Sequence, residues 1–155
     1  SIYNKIDMKV QRKRNRLQHF DYEGSYAYFL TLCCYDNGNY FTNRNTVFTI
    51  LDSLNRISSE MNCSIIAYCF MPDHLHLLTS GDEKTNLIKF IKTFKQITGY
   101  NFKKTTGRKL WQKSFHDHVV RKEENLNSIA EYIFNNPVRN GLVADYEDYP
   151  FLGPK

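Results

Sequence analysis

Three features that would place a chain in a membrane or outside the cell are missing from this 155-residue sequence. No apolar run approaches the roughly 18 residues that a membrane-spanning helix needs. Residues 1–16 are basic, with no apolar segment behind them of the kind a secretory signal has. The four cysteines (Cys33, Cys34, Cys63 and Cys69) form no CxxC pair, which disfavours a zinc or disulfide framework and favours buried free thiols. These absences predict a cytoplasmic protein with no membrane partner.

Internal repeats and low-complexity segments are also missing. The length is that of one ordinary domain, and the 41% of hydrophobic residues is enough for a core. We predict a basic N-terminal arm over residues 1–20 and a single domain over residues 21–155.

Charge is strongly segregated along the chain. Residues 1–16 carry a net charge of +5 and residues 84–122 a net charge of +10, whereas residues 17–83 and 123–155 are acidic. This pattern favours a polyanionic partner for the two basic stretches, with solvated helix faces as the alternative interpretation.

Hydrophobic periodicity predicts the order β-α-β-β-α-β-α. The predicted strands are 26–35, 63–71, 74–80 and a fourth within 115–121. The predicted helices are 45–60 with Asn45 or Thr46 as cap, 86–104, and a third that starts near Asn125 and is ended or kinked by Pro137. The last residues are turn-like. The first six elements follow the ferredoxin-like, split βαβ pattern of an α+β protein, a four-stranded antiparallel sheet with helices on one face.

Two histidines are the strongest local feature. His74 and His76 lie two apart on a predicted strand, so their side chains share a face, while Leu75 and Leu77 point into the core. Two imidazoles on a rigid strand make half of a metal site. Incidental surface histidines are the alternative.

Four blocks of sequence carry a family resemblance. They are YFLT at 28–31, YCFMPDHLHLL at 68–78, LWQKSFHDHVVR at 110–121 and YIFNNPVRNGLV at 132–143. In this order they resemble the REP-associated tyrosine transposases. These IS200-like transposases are single-tyrosine members of the HUH endonucleases, in which U is a bulky apolar residue (Leu75 here).

The resemblance implies both a reaction and its residues. Tyr132, on a C-terminal helix, would be the nucleophile, and His74, His76 and Asn136 would bind Mg²⁺ or Mn²⁺. Tyr132 and Asn136 are four residues apart and are expected to share a helix face. The implied protein is a transposase that cleaves and rejoins single-stranded DNA near hairpins through a 5′-phosphotyrosine intermediate, as a monomer or a homodimer.

The resemblance and the basic stretches together predict a DNA-binding surface. Its residues would be Arg12, Lys13, Arg14, Arg16, Lys89, Lys92, Lys95, Lys103, Lys104, Arg108, Lys109, Lys113, Arg121 and Arg139. His116 and His118, a second same-face pair, are interpreted as structural or DNA-contacting. Asp73 either orients a metal ligand or forms a turn.

Two other functions compete with this one. The first is a domesticated relative that holds hairpin DNA or RNA on the same fold without cutting it. The second is a metal-dependent hydrolase of a small substrate, which the segregated charge and the missing acidic ligand cluster disfavour.

Overall fold

An antiparallel sheet organises the chain. The computed structural model describes residues 27–120 and 125–155, with the backbone alone at 117–119. The strands are β1 (Ala27–Cys33), β2 (Cys63–Met71), β3 (His74–Gly81), β4 (His116–Val120) and β5 (Leu152–Gly153), in the order β4-β1-β3-β2-β5. The predicted ferredoxin-like sheet of four antiparallel strands, β1 to β4, is confirmed, and β5 adds a two-residue fifth strand at its edge.

The C-terminal tail contains more regular secondary structure than its turn-like composition predicts. Residues Tyr146–Asp148 form a 3-10 helix, and β5 then pairs with β2. The Tyr149 hydroxyl donates to the Phe70 carbonyl oxygen at 2.6 Å, and the Phe70 N–H donates to Phe151 at 2.8 Å. The tail is therefore hydrogen-bonded to the edge of β2.

Each of the three longer helices begins at an asparagine cap. They are α1 (Arg44–Glu60), α2 (Leu87–Thr106) and α3 (Leu126–Phe134), capped by Asn43, Asn86 and Asn125, and a short helix α4 (Asn136–Arg139) follows. The cap expected at Asn45 or Thr46 is instead Asn43. Asn43 has extended backbone, and its side-chain oxygen accepts from the Thr46 N–H at 3.1 Å.

The sheet separates two apolar cores. Helices α1 and α2 cover one face, where Leu75 and Leu77 are fully buried, as predicted. Helix α3 packs on the opposite face through Ile129 and Ile133. Burial of each such side chain contributes about 1.5–3 kcal/mol. The alternation of β3 thus sends Leu75 and Leu77 to one core, and His74, His76 and Leu78 to the side that α3 covers.

The four cysteines are free thiols, and Cys34, Cys63 and Cys69 are buried, in agreement with the sequence. Burial raises the pKa of the Cys69 thiol to about 12. None of the helices described is long and apolar enough to cross a membrane.

Candidate active site and nucleic-acid interface

The two histidines of β3 converge. The Nε2 atoms of His74 and His76 lie 3.1 Å apart, and the rings meet edge to face with centroids 4.6 Å apart. Two nitrogen ligands at about 2.0–2.1 Å from one ion and roughly at right angles or tetrahedral would lie about 2.9–3.4 Å apart. The pair therefore has the spacing of two ligands of a single divalent ion.

The other ring nitrogens are each held by an oxygen. His74 Nδ1 contacts Asp73 Oδ1 at 2.6 Å, and His76 Nδ1 contacts Thr31 Oγ1 at 3.0 Å. Such partners fix the ring orientation and leave Nε2 to face a metal. Asp73 thus lies where an orienting role is possible, whereas Thr31 was not found from the sequence.

His76 is almost fully buried, with 8% of its surface exposed. This burial, followed by the charges of His74 and Arg139, lowers its pKa well below the usual 6.5. The imidazole is therefore neutral at neutral pH, which is the form that binds metals.

Helix α3 brings Tyr132 to the same side of the sheet. Tyr132 is 7% exposed, and its ring centroid lies 6.1 Å from that of Phe29. Phe29 in turn contacts His76, with ring centroids 5.5 Å apart. One phenylalanine thus contacts both the candidate nucleophile and the buried histidine.

Asn136 does not share one continuous helix with Tyr132, contrary to the simplest expectation. Helix α3 ends at Phe134, and Asn136 opens α4, because Pro137 has no N–H to continue the helix. Asn135, the residue between the two helices, nevertheless keeps a helical conformation (φ −83°, ψ −2°). Asn136 therefore lies about one helical turn beyond Tyr132, and it is buried.

The donor set fits a divalent ion in part. Within the ranges described, no three His, Cys, Asp or Glu side chains lie close enough to share an ion, so a third ligand drawn from these ranges would be of another type. The Asn136 amide is such a group. Its Oδ1 already accepts from Asn140 Nδ2 at 2.9 Å and Arg139 Nη2 at 3.2 Å, and its buried Nδ2 has no hydrogen-bond partner among the described atoms.

A third histidine lies in the same row of the sheet. His116 of β4 pairs with Thr31, and Thr31 pairs with His76 on its other side. The buried Nδ1 of His116 has no hydrogen-bond partner within the described part of the chain. The His118 side chain, its predicted companion, lies outside the described atoms.

The predicted DNA-binding residues separate into groups. Lys95, Lys103, Lys109 and Lys113 line a groove of about 540 Å³ together with Tyr100, which is 68% exposed. Lys95 also donates to the carbonyl oxygens of residues 112 and 113, at 2.7 and 3.2 Å, and so holds one wall of the groove.

The remaining basic residues are distributed differently. Lys92, Lys104 and Arg108 are exposed on or just after α2, and Lys89 lies beside Glu60 and Lys84 in a separate depression. Arg139 folds back on α3. Arg12, Lys13, Arg14, Arg16 and Arg121 lie outside the described residues, as does the predicted arm over 1–20.

The strand order, the converging histidines and the following helix with a tyrosine agree with the HUH fold that the sequence resemblance implies. The family model described as "Transposase IS200 like" matches residues 23–136. The chain belongs to this transposase family.

Two curated relatives carry a more specific name. A Haemophilus influenzae protein provisionally named a REP-associated tyrosine transposase is 31% identical over 98 residues, which span 56% of each chain. The Escherichia coli REP-associated tyrosine transposase is 28% identical over 100 residues, which cover 62% of this chain and 57% of the relative. The similarity thus spans little more than half the length of these relatives.

A solved structure has the same fold. The structure of a REP-associated tyrosine transposase bound to a REP hairpin superposes with a TM-score of 0.72 over 88% of this chain and 81% of that chain, at 20% identity. It supports the fold that the sequence predicts.

Proposed function

We propose that this transposase cleaves and rejoins single-stranded DNA beside a hairpin, with Tyr132 as the nucleophile and a divalent metal held by His74 and His76. The observation that carries the proposal is the 3.1 Å separation of the two histidine Nε2 atoms, on the side of the sheet where Tyr132 packs. Asn136 is the candidate third ligand.

The reaction would be a transfer of a phosphodiester bond. The Tyr132 hydroxyl oxygen bonds to phosphorus, the bond from phosphorus to the 3′ oxygen breaks, the phenolic proton is lost, and the 3′ oxygen leaves as a hydroxyl. Attack by that 3′ hydroxyl on the 5′-phosphotyrosine reverses the step. A Mg²⁺ or Mn²⁺ ion, when bound, would neutralise charge on the phosphate.

The protein's own side chains support the positioning that such a transfer needs. Thr31 and Asp73 hold the histidine rings, and Phe29 packs against both His76 and Tyr132. Because reacting atoms must be aligned to within a fraction of an ångström, a rigid strand is a suitable platform.

The basic groove is the proposed place for the hairpin. Its wall is joined to β1 where the Gln112 N–H donates to the Cys33 carbonyl oxygen at 2.9 Å, and Cys33 pairs with His74. Neighbouring strands lie about 4.8 Å apart. One wall of the groove is therefore linked through β1 to the strand that carries His74.

A covalent-trapping experiment tests this proposal. The protein is incubated with end-labelled DNA in which a hairpin carries single-stranded flanks, with Mn²⁺ or Mg²⁺, and run on a denaturing gel. We expect a protein–DNA adduct that EDTA abolishes and that Tyr132→Phe lacks, because its ring has no attacking oxygen. Tyr146→Phe, which changes an aromatic residue stacked on Phe134, is the matched control and should keep the adduct.

Binding without any adduct across a panel of hairpins would reject cleavage and favour the DNA-holding or RNA-holding alternative. An adduct that persists in Tyr132→Phe would assign the nucleophile to another residue.

A further inference from the structure

Arg139 contacts both Tyr132 and Asn136 of the candidate site. Its guanidinium carbon lies 3.9 Å from the centre of the Tyr132 ring, within the range of a cation–π contact. Its Nη1 donates to the Tyr132 carbonyl oxygen at 2.9 Å, and its Nη2 donates to Asn136 Oδ1 at 3.2 Å. One planar group thus holds both the nucleophile's residue and the candidate third ligand.

The Asn136 oxygen has no acceptor capacity to spare in this arrangement. A carbonyl oxygen offers two lone pairs, and the donors from Arg139 and Asn140 occupy both. A metal that binds this oxygen must therefore displace one donor. The bond from Arg139 is the longer of the two, and Arg139 is an exposed residue, so this is the donor that we expect the metal to displace.

The charge of Arg139 acts in the same direction. The guanidinium lies 3.2 Å from the Asn136 oxygen, so its fixed charge is beside the proposed site. A fixed positive charge near a site for a dication opposes its binding. The oxygen count and the electrostatics thus agree that Arg139 and the metal compete.

We infer that Arg139 is a positioning residue of the proposed site, which holds Tyr132 and Asn136 in place and competes with the metal ion for the Asn136 oxygen. The positioning part of this inference rests on the proposed cleavage by Tyr132, whereas the competition rests only on the proposed metal site.

The competition is tested by measuring Mn²⁺ binding to the DNA-free protein. The bound fraction is obtained from the decrease of the free-Mn²⁺ signal in electron paramagnetic resonance. Arg139→Gln removes the charge and is expected to bind Mn²⁺ about three- to tenfold more tightly, because a nearby cation opposes the dication. Arg139→Lys keeps the charge but loses the planar fork that reaches the Asn136 oxygen, so its gain should be smaller than that of Arg139→Gln. Arg56→Gln, at an exposed position on α1 across the sheet, makes the same charge change and should have no effect.

A double-mutant comparison locates the effect. In an Asn136→Ala background the contested oxygen is gone, so the gain from Arg139→Gln should shrink. A gain of the same size in both backgrounds would overturn competition for that oxygen.

Single-turnover cleavage tests the positioning. Both Arg139 variants should lower the maximal rate by about 10- to 100-fold, because the tyrosine is no longer held in line. The DNA concentration at half-maximal rate should change by less than about threefold, since a positioning role acts on rate rather than on DNA binding. A loss confined to DNA affinity would make Arg139 a phosphate contact instead.

The two hypotheses fail separately. Unchanged or weaker Mn²⁺ binding by Arg139→Gln, in a protein that forms the covalent adduct, overturns the competition and leaves the proposed function standing. Tighter Mn²⁺ binding without any adduct in the wild type does the reverse. If neither protein binds Mn²⁺ at millimolar concentration, both are rejected. Melting temperatures establish that each variant is folded; if Arg139→Gln is not, Arg139→Met supplies the neutral variant.

Discussion

At the scale of single residues, the candidate site depends on the oxygens that hold the two imidazole rings. The Thr31 hydroxyl lies on the neighbouring strand from His76, and the two Cα positions are paired across β1 and β3. Thr31 is itself 7% exposed, so water is a poor substitute for its hydroxyl. The orientation of His76 is therefore set by a residue 45 positions away in sequence.

Replacing Thr31 by valine should weaken metal binding while leaving the fold intact. Valine has nearly the same shape and suits a strand, but it cannot accept from or donate to His76 Nδ1. Loss of such an outer partner typically costs about 10- to 100-fold in metal affinity. Mn²⁺ binding to the variant measures this, and Thr31→Ser, which keeps the hydroxyl, should remain close to the wild type. Equal affinity in Thr31→Val and wild type would remove Thr31 from the site.

The sequence predicts these residues unequally. Two histidines two apart on a strand must share a face, so the convergence of His74 and His76 follows from periodicity alone. Thr31 enters only through the register of two strands far apart in sequence, which periodicity does not give. Arg139 was predicted as a DNA contact, and the structure places its guanidinium over the Tyr132 ring, a side-chain conformation that the sequence does not determine.

At the scale of secondary structure, the strands and helices follow from alternation, apolar stripes and asparagine caps. Strand β2 has the predicted bounds, and β3 runs one residue further than predicted. The structure of the C-terminal tail was not predicted, because β5 has only two residues and its stability comes from partners on β2 rather than from its own composition.

Tyr149→Phe should loosen this tail. The lost hydroxyl bond to Phe70 is buried, and removing such a bond typically costs about 1 kcal/mol of unfolding free energy. For a chain of this size that is a fall of about 2–4 °C in melting temperature, measurable by calorimetry. Tyr146→Phe is the control, since Tyr146 is only partly buried, and should shift the melting temperature far less. Equal shifts would mean that the tail is not held by this bond.

At the scale of the whole molecule, the basic residues are not one continuous surface. The stretch 84–122 carries the largest positive charge of the sequence, yet only part of it lines the groove beside Tyr100. The sequence composition identified the basic stretch 84–122. Which of its lysines line one groove depends on how α2 packs against residues 109–113, and composition does not give that. A base stacked on Tyr100 with phosphates near Lys103 and Lys109 is the arrangement that this groove favours.

The double variant Lys103→Gln/Lys109→Gln should therefore bind hairpin DNA more weakly and with less dependence on salt. Each phosphate contact contributes about 0.7–0.9 to the slope of log affinity against log salt concentration, so the slope should fall by about 1.4–1.8. Fluorescence anisotropy at several salt concentrations measures it. Lys84→Gln/Lys89→Gln, in the separate depression, is the matched control. A slope reduced equally by both pairs would indicate a general charge effect rather than a groove.

The alternation of β3 also determines what kinds of sequence change this domain can survive. The turn between β2 and β3 contains only Pro72 and Asp73, and the next residues send histidines to one side and leucines to the other. Losing or gaining one residue there would exchange the two sets and place imidazoles in the apolar core. Substitutions in helices α1 and α2 leave this alternation unchanged. A change in the length of the two-residue turn would reverse which side chains of β3 face each core, so the length of the turn is constrained.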